Sequence, residues 1–332
     1  MWNNIMYNYT YKQHFKFGYN DQWFNQRTNP DDVWHVDYGS IQWEPKDFRQ
    51  ESLKVARIIE NESLKLGLPI DLMYSGGTES EMMVRSFVEQ GIDVRINIMK
   101  FSNDINAHDI KDALAYCEAN NIVPRIHELN LLKFWKNDCW DYAERTKCIS
   151  PQLLSTMWLM DQLDGLPVMG SAECYISHED LNKYNYWDPR LRKVVKKQIT
   201  DEEYRKRPWY MHEREKIAAW YRHPMSQGRP AVPGFFQYTP EIMLAFLEDP
   251  YEQELADCKH GCKLSNTSTK LQVYEKYFPN LRQRVKTTGF ETVMDHDKRV
   301  RLELYQLYGM YKSEAKWEYE ALKRHLRGDR NG

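Results

Sequence analysis

Tyr74-Ser75-Gly76-Gly77-Thr78-Glu79-Ser80 is the stretch that decides the fold of this chain. A short apolar run, Pro69 to Tyr74, precedes it, and a helical pattern from Glu79 to Gln90, closed by Gly91, follows it. A strand that ends in Ser-Gly-Gly and opens a helix makes a cradle for an anion. Glycine has no side chain, so backbone N–H groups can approach phosphate oxygens closely. The first turn of the helix adds N–H groups that have no intrahelical acceptor, together with the positive end of its dipole. Ser75, Thr78 and Ser80 supply hydroxyl donors, and Glu79 could hold a Mg²⁺ that bridges phosphate oxygens. The Gly-Lys-Ser/Thr ending of a Walker loop is absent.

Working outward from the loop, strand and helix signals alternate. Upstream, Val55, Ile58, Ile59 and Leu66 fall on one face of a helix from Asp47 to Leu66, which Gly67 and Pro69 end. Downstream, residues 94–101 predict a second strand, and Ile110, Ala113, Leu114 and Cys117 mark a helix. Val123 to Leu129 predicts a third strand, Pro151 to Leu163 a helix, and Leu166 to Met169 a further strand. This alternation, from 69 to 180, predicts an α/β fold: a Rossmann-like parallel sheet with helices on both faces. Ligands of such sheets sit at the carboxyl ends of the strands.

The flanks differ in character. Residues 1–45 form an aromatic N-terminal arm, in which Tyr7, Tyr9 and Tyr11, then Phe15, Phe17 and Tyr19, alternate with other residues as in a strand or hairpin. Residues 46–180 are the nucleotide-binding α/β domain. Residues 181–332 read as an irregular insertion followed by a helical C-terminal part that completes the site. Within it, 184–232 mixes Trp, Tyr, Arg, Lys and Pro with weak periodicity. Thr239 is the expected N-cap of a helix with Pro240 at its first position. Val300, Leu304, Leu307 and Tyr311 mark a long amphipathic C-terminal helix.

The formal charge of −2 over 332 residues argues against a surface built throughout for nucleic acid. No apolar run approaches the roughly 18 residues of a membrane helix, and the N-terminus lacks the layout of a signal peptide. Six cysteines without a dense framework fit reduced thiols and a cytoplasmic protein. Cys258-Lys-His260-Gly-Cys262 fits no zinc spacing well, and ordinary thiols are favoured. The basic run Arg190, Arg192, Lys193, Lys196 and Lys197, beside Tyr184, Tyr186 and Trp187, is favoured as a solvated helix face over an RNA surface. His108, His178, His212 and His223 show no metal spacing and read as structural.

At residues 75–80 the sequence resembles the Ser-Gly-Gly-x-Asp-Ser signature of the PP-loop ATP pyrophosphatase superfamily. Within it, the resemblance is to the synthetase domain of asparagine synthetases and their β-lactam synthetase relatives, from 46 to 295. Gly170-Ser-Ala-Glu173 is similar to that family's acidic segment, and Val232-Pro-Gly-Phe-Phe236 to its Val-Pro-Phe-Leu-Asp stretch. Lys270 and Lys286 resemble its two lysine motifs.

The resemblance implies an ATP-dependent, AMP-forming ligase. It would adenylate a carboxylate, release pyrophosphate, and pass the acyl group to ammonia or an amine. It implies ATP and Mg²⁺ as cofactors, with Glu79 and Glu173 as metal ligands and Lys270 and Lys286 on the departing phosphates. Leu72, Met73, Ile98 and Met99 would frame the adenine, and Gly170 would line the nucleotide. Glu79 stands where the family has Asp, and one acid of the pair near Glu173 is replaced. No glutaminase precedes the synthetase-like region, so nitrogen would come from free ammonia, an amine substrate or a separate ammonia-supplying protein. Two alternatives are carried: a transfer RNA-modifying PP-loop enzyme, with Cys148 and Cys174 serving sulfur transfer, and an ATP-binding protein without turnover.

Overall fold

Apolar residues on four short strands build the sheet that carries the loop. In the computed structural model the described residues are 16–20, 22–25, 34–37, 42–170, 185–188, 193–196, 208–247 and 294–308. Helix α1 (Phe48–Leu66) starts where the Asp47 carboxylate accepts from Gln50 N at 2.9 Å, and it stops at Gly67, whose φ of 64° suits glycine. Then follow β3 (Ile70–Met73), α2 (Thr78–Glu89), β4 (Val94–Phe101), α3 (Ala107–Ala119) and β5 (Arg125–Leu129). Helices α4 (Leu131–Lys136), α5 (Cys139–Thr146) and α6 (Pro151–Asp161) lead to β6 (Leu166–Met169). The N-terminal pair β1 (Lys16–Tyr19) and β2 (Trp34–Asp37) is an antiparallel hairpin.

The four strands are parallel and run in the order β5-β4-β3-β6. The chain steps outward from β3 to β4 to β5, then crosses back to place β6 on the other side of β3. That reversal makes a switch point between β3 and β6, where crevices open at the carboxyl ends of the strands. Beyond β6, Val232 extends the sheet: its N–H donates to Pro167 O at 2.7 Å, and Met169 N–H donates to its carbonyl at 2.9 Å. The expected open, parallel α/β sheet is therefore present, and β4 and β6 fall at the bounds read from the sequence.

The two faces of the sheet are covered differently. Ile70, Leu72, Ile96, Ile98, Leu166 and Val168 join one core with Val55 and Ile59 of α1, Met82, Met83 and Phe87 of α2, and Ile110, Ala113 and Cys117 of α3. On the other face, Met73 and Met169 pack with Leu159 and Met160 of α6 and with Leu163. Phe101 and Leu129 join a third cluster with residues of α4 and α5.

Residues 181–232 require a correction. They contain an antiparallel hairpin, β7 (Asn185–Asp188) with β8 (Lys193–Lys196), and the helix α7 (Pro208–Gln227). Lys193 and Lys196 thus lie on a strand, not on a helix face; Arg190, Arg192, Lys197 and Tyr184 lie outside the described residues. Over residues 218–225, helix α7 is enclosed on several sides and so presents no single apolar stripe. Ala218, Ala219, Tyr221, Arg222, His223 and Met225 are all buried, so burial follows no 3.6-residue period. Helix α8 (Pro240–Leu247) begins as expected, with Thr239 Oγ1 accepting from Ile242 N at 3.3 Å. The C-terminal helix α9 (Met294–Tyr308) buries Leu304 but leaves Leu307 exposed. No helix among the described residues is long and apolar enough to cross a membrane.

Candidate functional site

The loop between β3 and α2 stands at the switch point. Tyr74 N–H donates to Asn97 O at 2.8 Å, which continues the β3–β4 ladder one residue past the strand. The chain then turns through Gly76 at φ +87° and enters α2 with Gly77 as N-cap, where no side chain caps the helix. A helix start that leaves its first-turn amides without a side-chain cap suits an anion.

The glycines have separate reasons. A Cβ on Gly76 would stand 2.2 Å from the carbonyl oxygen of Asp109, in the first turn of α3, so packing and backbone conformation together demand glycine there. A Cβ on Gly170, just after β6, would stand 2.7 Å from Ser80 Cα and 3.1 Å from Ser80 N. Glycine at 170 thus lets the end of β6 press on the first turn of α2. Gly77 is different: its Cβ would meet Ser75 Oγ at 3.3 Å, Glu79 Oε2 at 3.7 Å and Ser80 Oγ at 4.0 Å. These three polar groups therefore surround the N-cap position.

Ser75 and Ser80 are turned toward each other. Gly77 N–H donates to Ser75 Oγ at 3.2 Å, the two hydroxyls are 2.9 Å apart, and Ser80 Oγ–H donates to Gly77 O at 3.0 Å. Followed donor to acceptor, this is a closed ring from Gly77 N–H to Gly77 O, with the Ser75 proton directed at Ser80. The Ser75 and Ser80 hydroxyls, expected to face a phosphate, instead hold the loop in shape, and no side chain caps the start of α2. The ring was not legible in the sequence because it depends on the chain folding back over five residues.

Below the loop, Tyr74 O–H donates to Glu81 Oε2 at 3.1 Å, and Arg85 grips Glu81 Oε1 through Nε at 3.0 Å and a terminal nitrogen at 2.6 Å. Glu81 is therefore committed to support. Glu79 is half-buried, with its carboxylate beside the N-cap. A carboxylate at the place an anion would occupy repels that anion unless a cation lies between them, which is the electrostatic reason Mg²⁺ fits. No three of His, Cys, Asp and Glu converge on a metal position among the described residues.

Of the residues expected at the site, the structure brings together Ser75, Gly76, Gly77, Thr78, Glu79, Ser80 and Gly170. Leu72 and Ile98 point into the aliphatic core, fully buried, while Met73 lies on the opposite face. Met99 is half-buried on that same face. Glu173, Lys270 and Lys286 lie outside the described residues, as do Cys174, Cys258, His260 and Cys262. Cys148 is buried with its thiol toward Ser150 O at 3.7 Å. Burial also pushes the Cys117 thiol up to about 11 and the Cys139 thiol up to about 12, so neither is a ready nucleophile.

A polar network on the methionine face was missed. Asp71 is fully buried on β3 and pairs with Arg95 of β4, whose Nε lies 2.8 Å from Asp71 Oδ1. Asp71 also accepts from Asn97 Nδ2 at 2.9 Å and from Gly165 N at 2.8 Å. Asn97 Oδ1 in turn meets His127 Nε2 of β5 at 3.0 Å. Part of the signal was present: Arg95 and Asn97 sit on alternate positions of a largely apolar strand, which places them on one face, and Asp71 is the lone polar residue of β3.

No known protein-family model matches this chain, and a comparison with curated proteins found no match.

Proposed function

We propose that residues 74–80 hold the phosphates of ATP and that the chain is an ATP-dependent, AMP-forming ligase of the PP-loop type, with a small carboxylate and an amine or ammonia as substrates. The observation that carries the reading is the position of an uncapped helix start, at a Ser-Gly-Gly turn, on the switch point of a β5-β4-β3-β6 parallel sheet. Gly170 adds to it, because it closes the end of β6 against the same helix turn.

In this reading the α2 amides hold phosphate oxygens, and the Ser75–Ser80 ring keeps the loop rigid, so little reorganisation is needed when charge develops. Mg²⁺, held at Glu79 and Glu173, would neutralise charge on the phosphates. Lys270 and Lys286 are proposed to stabilise the departing pyrophosphate. The alternative of sulfur transfer to RNA loses support from Cys148, which is enclosed rather than presented at the crevice.

The test is product analysis of the full chain with ATP and Mg²⁺ against a panel of carboxylates and amines. The expected products are AMP and pyrophosphate, formed only with one acid present. Formation of ADP and phosphate would contradict the ligase reading. ATP bound without turnover in any mixture would replace it with a nucleotide-binding protein.

A further inference from the structure

The polar network on the methionine face fixes the tautomer of one histidine. Asn97 Nδ2 donates to Asp71 Oδ1 at 2.9 Å and to Arg95 O at 3.1 Å; the second is a carbonyl and the first a carboxylate paired with arginine, so both only accept. The amide therefore cannot be turned round, and its oxygen faces His127 Nε2 at 3.0 Å. A carbonyl oxygen accepts only, so Nε2 carries the hydrogen. In a neutral imidazole the lone pair then belongs to Nδ1. No hydrogen bond to Nδ1 forms among the described residues, and the side chain is half-buried, not sealed.

The strand register places this acceptor. Met73 pairs with Asn97 and with Met169, and Met99 pairs with His127, so His127 shares a face with all three methionines. It stands two strands from β3, about 9–10 Å away at ordinary strand spacing. That spacing is of the order of the reach from the phosphates of a nucleotide to its base. Met73 and Met169 are buried under α6, whereas Met99, paired with His127, is half-buried, and its sulfur can make an adaptable contact with a flat aromatic ring.

On the reading that the loop binds ATP, we propose that His127 selects the base: Nδ1 accepts a hydrogen bond from the 6-amino group of adenine and disfavours guanine, whose 6-keto oxygen would face it as a second acceptor. Burial lowers the His127 pKa; Asp71 on β3 opposes this and Arg125 on β5 adds to it. The other charged groups of this network are Arg95 on β4 and Asp164 before β6. The imidazole is thus neutral at ordinary pH, and acid turns Nδ1 into a donor.

The experiment is calorimetric binding of ATP, GTP and inorganic tripolyphosphate to the full chain, as wild type and as His127→Phe, across pH. The wild type is expected to prefer ATP over GTP about tenfold near neutral pH, the worth of one net hydrogen bond. The preference should fall in acid. His127→Phe should lose the preference and keep its affinity for tripolyphosphate, which engages no base. Equal binding of ATP and GTP by the wild type, or a preference that survives in His127→Phe, overturns the role of His127 alone. Failure of the wild type to bind any of the three overturns the loop reading as well. Should His127→Phe lose tripolyphosphate too, the acid dependence of the wild-type preference decides, and a flat profile overturns the proposal.

Discussion

The two faces of the central sheet are made by the same four strands and have opposite chemistry. One face carries Ile70, Leu72, Ile96, Ile98, Leu166 and Val168 and is closed by helices, α1, α2 and α3 among them. The other carries Asp71, Met73, Arg95, Asn97, Met99, His127 and Met169, with a half-buried ion pair, a buried amide and flexible thioethers. A period of two separates them, so neighbouring residues in one strand serve unlike ends. Branched aliphatic residues fill a sealed interior well. Methionine and hydrogen-bonded polar groups make the second face more adaptable than the first. The difference teaches that the loop sits where an aliphatic face and a polar one meet.

The largest effect should come from the aliphatic face. Leu72→Ala is expected to cost about 4 kcal/mol in urea denaturation, since a fully buried leucine leaves a cavity. Asp71→Ala should follow at about 3 kcal/mol, because it removes the buried acceptor shared by Arg95, Asn97 and the Gly165 amide and frees Asn97 to turn. In the same variant the orientation of the His127 ring is no longer held through the amide, so its imidazole NMR signals should broaden or shift. Met99→Ala, at a half-buried position, should cost only about 1 kcal/mol. A cost equal to that of Leu72→Ala would erase the distinction between the faces.

The smallest expected effect is a pH dependence in the helices over the methionine face. Asp161 at the end of α6 meets His223 Nε2 of α7 at 2.7 Å and Gln227 Nε2 at 3.1 Å. Burial pushes the Asp161 carboxyl up, but hydrogen bonds with His223, Gln227 and Tyr142 outweigh it, and the net shift is downward. A carboxyl depressed in the folded state adds stability above its unfolded value, about pH 4, and loses it as pH falls through the folded value. The stability gap between wild type and Asp161→Asn should therefore narrow in acid below that point. A gap independent of pH would mean that the carboxylate charge is not what joins α6 to α7.

Much of the fold was legible because the strands and helices around the loop are local patterns. Val94–Phe101 and Leu166–Met169 announce themselves by composition and by their bounding turns. Helix α7 did not, because burial on several sides removes the periodic stripe that marks a helix. Helices α4 and α5 were missed for a related reason: they are short, and Trp135 and Cys139 bury through tertiary contacts that no spacing reveals. At the site, the glycines and the helix start could be read directly. That Gly76 answers to Asp109, and Gly170 to Ser80, could not, since both depend on elements brought together only by the sheet order.

The most direct test of the account is amide NMR of the full chain during titration with a non-hydrolysable ATP analogue and Mg²⁺. The account predicts that the largest shifts fall on the backbone amides of residues 76–80 and on Gly170, and that inorganic tripolyphosphate reproduces them. Saturable binding with those amides unmoved would contradict it, and would place the nucleotide, if it binds at all, away from the Ser-Gly-Gly turn.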